Sequence, residues 1–364
     1  MLSTIVLTFP LIKAGFGFVY GLFIEKEIDL PQLKKDEPAN FNILILGIGG
    51  GTHDGPNLTD TIILAHINQK ENSVSMLSLP RDMWSPSQTA KINAAYAFGE
   101  EKGDKGIEQA TTAVEEITGQ EIAYTIVVDF KAFTEFIDHL DGITIGVERS
   151  FYDPQYPITG KEDDPCGHEE EELEELATAA SQLEAFPCRY KAISFEKGEQ
   201  EMNGEMALEY VRSRHGTNGE GSDFARSRRQ QKVIEAIRNK MLSLGFILNP
   251  VKIYGALDII SSNINTDVPQ DKYDDFIKLA GKMQNAKTRS AVINAEGEGE
   301  NELLVAPFNL QEFGGQWVLV PRIGNENFEE IHEFTKCFFE GDNCVVTEKG
   351  VATPTPKPTR TQSR

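Results

Sequence analysis

Short apolar runs alternate with amphipathic segments between residues 42 and 147, and this alternation constrains the fold more than any other feature of the chain. The run FNILILGIGGG at 41–51 is typical of a buried strand that ends in a glycine-rich loop. Further predicted strands are DTIILAHIN, SVSMLSLP, AYTIVVDF and ITIGVE, and predicted helices are INAAYAFG, GIEQATTAVEEITG and KAFTEFIDHLDG. Strands that alternate with helices predict an α/β layered domain.

The second half of the chain is predicted to be mostly helical at first and then mixed. After the helix RRQQKVIEAIRNKML, the stretch 250–283 is predicted to be mainly helical and to cover the sheet. Residues 289–346 are predicted to form a small α+β C-terminal extension, with strands around LLVAPF and QWVLVP and a helix at NFEEIHEFTKCFF. The tail 347–364 is rich in proline and polar residues, so it is expected to stay disordered.

The amino-terminal segment is mostly apolar up to Ile24. Its length suits a membrane span of about 20 residues, so residues 1–24 are predicted to be a single-pass anchor. A buried core helix or an uncleaved signal is the alternative. Lys13 lies within the segment and no basic arm precedes it, so flanking charge does not predict the orientation of the anchor in the membrane. Residues 25–41 are predicted to be a short polar stalk.

The four cysteines fall into two local pairs. Cys166 and Cys188 bracket much of an acidic insertion at 161–188, and Cys337 and Cys344 bracket a short segment near the end. Such pairing predicts two disulfides in an oxidising compartment, whereas four unrelated buried thiols are the alternative. The run EEEELEEL inside the insertion predicts either a solvated helical face or a disordered excursion.

The charge balance excludes one broad class of function. The chain has 57 acidic residues against 35 lysines and arginines, a formal net charge of −22. Loose binding to nucleic acid depends on a basic surface that releases counterions, which this chain lacks. An anionic ligand must therefore be held locally, by a few placed cations.

Such cations are concentrated in YVRSRHGTNGEGSDFARSRRQQ at 210–231. If VRSRH is extended, Arg212 and Arg214 project on the same side. Ser222 or Asp223 can cap the helix that follows. On that helix one face is predicted to carry Arg226, Arg229 and Gln230, while Arg228 points elsewhere.

Several guanidinium groups beside a helix N-terminus suit a ligand with more charge than one carboxylate. Arginine binds phosphate oxygens bidentately, and a helix N-terminus favours anions, so a diphosphate is the predicted ligand. The alternative is a structural network of ion pairs between these arginines and Glu205, Glu209 and Asp223.

A second group of charged residues lies where predicted strands begin and end. Asp60 starts one strand in LTDTIILA, and Arg81 and Asp82 follow another in SLPRDMW. Ligands of open α/β sheets gather at such strand ends. Carboxylates beside cations there suit Mg²⁺, which takes one or two carboxylates together with phosphate oxygens.

Six motifs in order carry a resemblance to a known family. LTDTIILA, SLPRDMW, KINAAYAFG, DFKAFTEFIDHLDGITI, MNGEMALEYVRSRH and GSDFARSRRQQKVIEAI together resemble the LytR–CpsA–Psr family over about residues 42–242. The resemblance implies a central mixed sheet flanked by helices in an α/β/α arrangement, with a catalytic domain at 42–288. It also implies an apolar groove for a lipid between sheet and helices.

The resemblance implies a membrane-anchored, extracytoplasmic phosphotransferase. Such enzymes move glycopolymers, teichoic acid among them, from a polyprenyl diphosphate carrier to a peptidoglycan hydroxyl with Mg²⁺ (or Mn²⁺), and hydrolysis of polyprenyl diphosphate is an expected side activity. No nucleic-acid partner is expected. A non-catalytic polyprenyl-diphosphate-binding scaffold is an alternative function, and a membrane-bound transcriptional attenuator is another.

Site residues follow from the motifs one by one. The resemblance implies catalytic roles for Asp60, Arg81 and Asp82 and a metal site at Asp54 and Asp60. The loop with Asp54 differs in length among members, and whether Asp60 or Asp82 is general base or metal ligand stays open. The implied diphosphate ligands are Arg81, Arg212, Arg214, Arg226 and Gln230. The insertion at 161–188 is not part of the family pattern.

Overall fold

The computed structural model describes residues 40–51, 53, 55–179, 181–247, 249–295, 297, 301–341, 343–347 and 350–352. The predicted anchor at 1–24 and all but the end of the predicted stalk lie outside these residues. Within them, no helix combines the length and the apolar character that a membrane span requires.

The strands are short apart from the first two. In chain order they are β1 (Asn40–Ile48), β2 (Thr59–Asn68), β3 (Ser73–Ser78), β4 (Trp84–Ser85), β5 (Ala90–Lys91), β6 (Tyr124–Asp129), β7 (Ile143–Val147), β8 (Phe151–Pro157), β9 (Tyr190–Phe195), β10 (Gly198–Met202), β11 (Ile264–Thr266), β12 (Lys287–Val292), β13 (Asn294–Ala295), β14 (Glu302–Val305), β15 (Val320–Pro321), β16 (Val345–Thr347) and β17 (Gly350–Ala352).

The helices vary from four to nineteen residues. In chain order they are α1 (Ala95–Glu101), α2 (Gly106–Thr118), α3 (Phe130–His139), α4 (Glu170–Ala177), α5 (Gln182–Ala185), α6 (Gly204–Arg212), α7 (Asp223–Met241), α8 (Leu244–Ile247), α9 (Pro250–Asn263), α10 (Tyr273–Lys282) and α11 (Glu329–Phe339).

Six strands form the central sheet, in the order β11-β6-β1-β2-β3-β12. The pairs β6–β1 and β3–β12 are parallel, and the other three pairs are antiparallel. The sheet is therefore mixed, as predicted. Strands β7 to β10 form two separate antiparallel pairs, β7–β10 and β8–β9.

Helices cover both faces of the sheet, which confirms the α/β/α arrangement. On one face, Leu44, Leu64 and Leu77 of the sheet pack with residues of α2 and α11. Helix α2 presents Ala110, Ala113, Val114 and Ile117 at helical spacing, and all four are buried. On the other face, α7 and α10 pack against β1, β2, β3 and β6.

Helix boundaries follow from local chemistry. The Asp129 carboxylate accepts a hydrogen bond from the Ala132 amide at 2.6 Å and so caps α3. Helix α2 ends where Gly119 adopts φ 65°, a left-handed conformation that glycine takes without a steric penalty. The predicted helix at INAAYAFG begins as a 3-10 turn, Ile92–Ala94, before α1.

The predicted C-terminal extension at 289–346 packs into the core of the central sheet, and β11 of the preceding segment joins that sheet. Strands β11 and β12 complete the two edges of the central sheet, and Phe334 and Phe338 of α11 enter the core beside Leu44. Both edge strands lie in segments of mixed polarity, so the apolar pattern that predicts β1, β2, β3 and β6 is missing there. The predicted strand and helix segments at 302–305, 320–321 and 329–339 are present.

Both predicted disulfides are confirmed. Cys166 is bonded to Cys188, and Cys337 is bonded to Cys344. Within the insertion, EEEELEEL forms the exposed helix α4, so its charge run is a solvated helical face. Residues 350–352, assigned above to a disordered tail, form β17 and pair with β16, while residues 353–364 lie outside the described residues.

Candidate active site

A cavity of about 440 Å³ lies between the second face of the sheet and the helices α3, α6, α7 and α9. Its wall is mainly apolar and is supplied by β1, β6, β11 and these four helices. The apolar lining includes Ile45, Val128, Phe133, Phe136, Leu208, Val211, Val233, Ile234, Ile237, Ile260 and Ile264. Volume and lining are those of a site for a small ligand with a long apolar part.

Charged and polar side chains also line the cavity. They include Asp60, Arg212, Arg214, Arg226 and Gln230, which are five of the residues predicted from sequence. A smaller adjoining cleft is lined by Arg81 and Asp223 and shares Asp60, Arg226 and Gln230 with the cavity. The structure thus brings six predicted residues to one place: Asp60, Arg81, Arg212, Arg214, Arg226 and Gln230.

Arg212 is held by aromatic rings and by a histidine. It lies in the last turn of α6, so VRSRH is not the extended segment that was predicted. Its guanidinium carbon lies 4.1 Å from the centre of the Phe130 ring. It donates to the Tyr156 hydroxyl at 3.3 Å and to His53 Nε2 at 3.1 Å, because a guanidinium cannot accept.

The turn between Arg212 and Arg214 is fixed by a buried carboxylate from β8. Asp153 is fully buried, and its Oδ2 accepts hydrogen bonds from Ser213 Oγ at 2.6 Å and from the amides of Arg214 and His215, both at 3.1 Å. These bonds set the backbone from which the Arg214 side chain projects. Asp153 is missing from the residues predicted from sequence, because its strand lies in a proline-containing stretch that resembles a loop.

Arg229 secures the same turn from the opposite side. It donates to the Tyr210 carbonyl at 2.7 Å, to the Ser213 carbonyl at 2.6 Å, and to both the carbonyl and the carboxylate of Glu220 at 2.7 and 2.9 Å. It does not line the cavity, although the helical spacing placed it on one face with Arg226. Burial lowers the pKa of Arg229, and Glu220 opposes this effect.

Arg226 is the most deeply buried cation of the cavity, at 5% exposure. Ser222 caps the N-terminus of α7 by accepting from the Ala225 amide at 3.1 Å, which leaves the Asp223 carboxylate to contact Arg226 at 2.5 Å. The Arg226 Nε is buried, and no described residue accepts a hydrogen bond from it. Burial lowers the pKa of Arg226 to about 10, Asp223 raises it, and Arg214 and Arg81 lower it, so the group stays charged at neutral pH.

Asp60 and Arg81 form an ion pair at the boundary between cavity and cleft, with Asp60 Oδ1 and Arg81 Nη1 2.5 Å apart. Burial raises the pKa of the Asp60 carboxyl, but the charge and hydrogen bond of Arg81 and the charges of Arg226 and Arg214 outweigh it, so the net shift is downward. The carboxyl is thus ionised at neutral pH and offers an oxygen ligand to a cation.

Asp82 lies on the far side of Arg81. It is buried, accepts from Lys91 Nζ at 2.6 Å and lies 3.4 Å from Arg81 Nε. It lines neither the cavity nor the cleft, so its geometry suits the orientation of Arg81 rather than contact with a ligand. Asp54, the second predicted metal ligand, lies outside the described residues.

The glycine-rich loop after β1 brings His53 to the cavity. Gly50 has φ 67°, and a Cβ added there would lie 2.7 Å from Cβ of Asp129, so a larger residue would push the loop away from α3. The His53 ring packs edge-on against Phe130, with centroids 5.4 Å apart. The GIGGG run therefore positions a partner of Arg212.

Known proteins are similar to this chain in sequence, and solved structures are similar to it in fold. Polyisoprenyl-teichoic acid–peptidoglycan teichoic acid transferase TagU of Oceanobacillus iheyensis is 29% identical over 281 residues, which are 76% of this chain and 72% of that protein. The crystal structure of Bacillus subtilis TagV superposes with a TM-score of 0.55 at 23% identity and covers 83% of this chain and 97% of that one.

A structure of TagT bound to LIIa-WTA shares the fold, with a TM-score of 0.54 at 21% identity, and covers 86% of this chain and 96% of that one. The sequence model of one family matches residues 24–311, which include every strand of the central sheet and every arginine of the cavity. The chain belongs to the LytR_cpsA_psr family.

Proposed function

We propose that this chain is an extracytoplasmic phosphotransferase. It transfers a glycopolymer, as a glycosyl phosphate, from a polyprenyl diphosphate carrier to a hydroxyl group of peptidoglycan. The observation that carries the proposal is one cavity that joins an apolar wall to three arginines, of which Arg226 is buried and has no hydrogen-bond partner for its Nε among the described residues. The Oceanobacillus relative is named for transfer of a polyisoprenyl-linked teichoic acid to peptidoglycan, which supports the same substrate class.

The two parts of the cavity match the two parts of such a carrier. An isoprenoid chain has no hydrogen-bonding groups, so it gains free energy from burial among the leucine, isoleucine and phenylalanine side chains of the wall. A diphosphate carries several negative charges, which Arg212, Arg214 and Arg226 can bind through their guanidinium groups. Arg81 reaches the same anion from the adjoining cleft.

The transfer makes one phosphorus–oxygen bond and breaks another. The acceptor hydroxyl oxygen bonds to the phosphorus that carries the glycan and releases its proton to solvent, the bond between that phosphorus and the bridging oxygen breaks, and polyprenyl phosphate leaves. The arginines stabilise negative charge on the phosphoryl oxygens and the departing phosphate. Attack by water in place of the acceptor is the hydrolytic side reaction.

Asp60 fits the role of a metal ligand better than that of a general base. Its lowered pKa makes the carboxylate a weak proton acceptor at neutral pH, whereas an ionised oxygen donor is what Mg²⁺ or Mn²⁺ prefers. With Asp54 as the second predicted ligand, a bound metal would supply neutralisation of the diphosphate charge. A separate group of Asp164, Cys166 and Cys188 does not suit a metal, because both sulfurs are in a disulfide.

The proposed location follows from the acceptor and the cysteines. Peptidoglycan lies outside the cytoplasmic membrane, and both disulfides require an oxidising compartment for stability. We place the catalytic domain there, with residues 1–24 as the proposed single-pass anchor.

Turnover tests the proposal. The full-length protein, in detergent, is incubated with a lipid-linked glycan labelled in the sugar and with peptidoglycan; we expect the label in peptidoglycan and release of polyprenyl phosphate. Chelation of divalent metal should suppress transfer, and added Mg²⁺ should restore it. Tight binding without turnover would favour the scaffold, and salt-dependent binding to DNA would favour the transcriptional attenuator.

A further inference from the structure

Glu162 of the acidic insertion lines the same cavity as the arginines. Its carboxylate oxygen Oε1 is buried and has no hydrogen-bond partner in the part of the chain that the structure describes. A buried carboxylate oxygen without a donor is costly, so a group that donates to it is expected from the occupant of the cavity.

The chain reaches Glu162 from residues that lie beside Arg212. Strand β8 ends at Pro157, which also lines the cavity, and the residue before it, Tyr156, accepts a hydrogen bond from Arg212. A turn closed by the Lys161 amide and the Ile158 carbonyl, at 3.0 Å, then brings the chain directly to Glu162.

The insertion is tied down on both sides of Glu162. The Ile158 amide donates to the Arg189 carbonyl at 2.8 Å, and Arg189 Nε donates to the Asp164 carbonyl at 2.7 Å. The disulfide between Cys166 and Cys188 joins the start of the insertion to its end. Glu162 therefore projects from a segment that is fastened on both sides to Arg189, the residue before β9.

The remaining carboxylates that line the cavity already have partners. Asp60 is paired with Arg81, and Asp129 caps α3. Glu162 cannot favour the diphosphate itself, because like charges repel, and an isoprenoid chain has no donor to offer. The part of a lipid-linked substrate that remains is the sugar, whose hydroxyl and amide groups donate hydrogen bonds.

We propose that Glu162 recognises the sugar attached to the diphosphate, by accepting hydrogen bonds from its hydroxyl or amide groups. The inference rests on the proposed function and adds a specificity determinant that comes from outside the six motifs of the family resemblance. Glu162 binds and orients the glycan of the donor, while the arginines hold the charge.

Two probes separate sugar recognition from general support of the cavity. Isothermal titration of the full-length, oxidised protein uses polyprenyl diphosphate alone and polyprenyl diphosphate that carries one N-acetylhexosamine. Glu162→Ala should weaken binding of the glycosylated probe about tenfold, because hydrogen bonds to charged groups are the stronger class. Binding of the bare probe should stay within about twofold or tighten, since a repelling charge is removed. Glu162→Gln should lose less, because an amide still accepts.

Glu174→Gln is the matched control, since it removes the same charge from exposed helix α4 of the same insertion and should change neither affinity. Equal losses for both probes in Glu162→Ala would mean that the residue only supports the cavity. No loss for the glycosylated probe would also overturn the proposal. If the wild-type protein binds neither probe, the proposed function itself fails, which is a different result from a loss confined to the variant.

Discussion

Arg226 and Arg229 lie one turn apart on α7, and both are buried, yet their surroundings differ completely. Arg229 donates to three backbone carbonyls and one carboxylate. Arg226 contacts Asp223 alone among the ion pairs within 4.0 Å in the described residues, and its Nε has no partner. A buried cation with a full set of acceptors stabilises the fold, whereas one that faces a cavity with a free donor is available to a ligand.

The predicted network of ion pairs is present only in part. Asp223 contacts Arg214 and Arg226, whereas Glu205 and Glu209 contact Lys191, and Arg229 is held by Glu220 instead. The diphosphate site on the other side of the helix stays a prediction. The structural arginine also serves the site, because Arg229 and Asp153 together fix the turn that carries Arg214.

The largest expected effect is the loss of stability when Arg229, the structural arginine, is replaced. Arg229→Ala should lower the free energy of unfolding by about 3–5 kcal/mol, because it removes this donor from the largely buried Glu220 carboxylate and from three backbone carbonyls. Denaturant unfolding measures the change. Exposed Arg228→Ala is the control and should stay within about 0.5 kcal/mol of wild type. Similar small losses for both variants would erase the distinction between the two sides of the helix.

The buried His66 makes the stability of the fold depend on pH. It is buried, with Nδ1 2.7 Å from Asn42 Oδ1 and its ring stacked on Phe339, and burial, together with the charge of Arg289, lowers its pKa from 6.5 to about 4. Because the unfolded chain binds the proton more tightly, the stability from neutral His66 is complete above pH 6.5 and is lost as pH falls toward 4. The gap corresponds to about 3 kcal/mol.

Unfolding of the wild type and of His66→Gln at pH 7 and pH 4 measures this term. The wild type should lose about 3 kcal/mol more than the variant over that interval. Parallel losses would show that His66 does not titrate with the fold. Since His66 lines neither the cavity nor the cleft, carrier binding by the folded variant should be unchanged.

The smallest expected free-energy change follows from replacing Arg226, on the cavity side of the helix, and it is a change in the free energy of ligand binding. Arg226→Ala should weaken binding of polyprenyl diphosphate about tenfold or more, because hydrogen bonds to charged groups contribute roughly 1.5–3 kcal/mol. Arg226→Lys should restore part of the affinity, since it keeps charge but loses the bidentate fork. Isothermal titration beside a thermal melt separates the effects; a lower melting temperature with unchanged affinity would make Arg226 a second structural arginine.

The central part of the fold could be predicted because β1, β2, β3 and β6 are apolar and bounded by clear turns. Strands β11 and β12 could not, since each has one neighbour in the sheet and half-exposed, polar side chains. Their partners lie more than 100 residues away along the chain, and a local sequence pattern does not predict pairing over such a separation.

The residues of the site could be predicted from the sequence to a similar extent. Helical spacing placed Arg226, Gln230 and Val233 on one face, and they do line the cavity. The same spacing included Arg229, which does not line the cavity. Helical periodicity predicts the direction in which a side chain projects from the helix axis, but not where the wall of the cavity ends. Asp153 and Glu162 lie on β8 and in the insertion, where no periodic pattern relates them to the arginines.

The arrangement of the sheet edges has a consequence for the order in which the protein can fold. The four strands β6, β1, β2 and β3 are synthesised first, and both outer strands of that unit then have unpaired backbone groups. Their partners β11 and β12 lie at 264–266 and 287–292, so the nascent chain keeps two open edges until most of it has been made.

Exposed edges of this kind template pairing with other chains, so we expect truncation before residue 264 to yield aggregates rather than a smaller folded domain. Export through a membrane prolongs the same interval. Resistance to self-association is therefore expected only after β11 and β12 have paired with the two edges of the sheet.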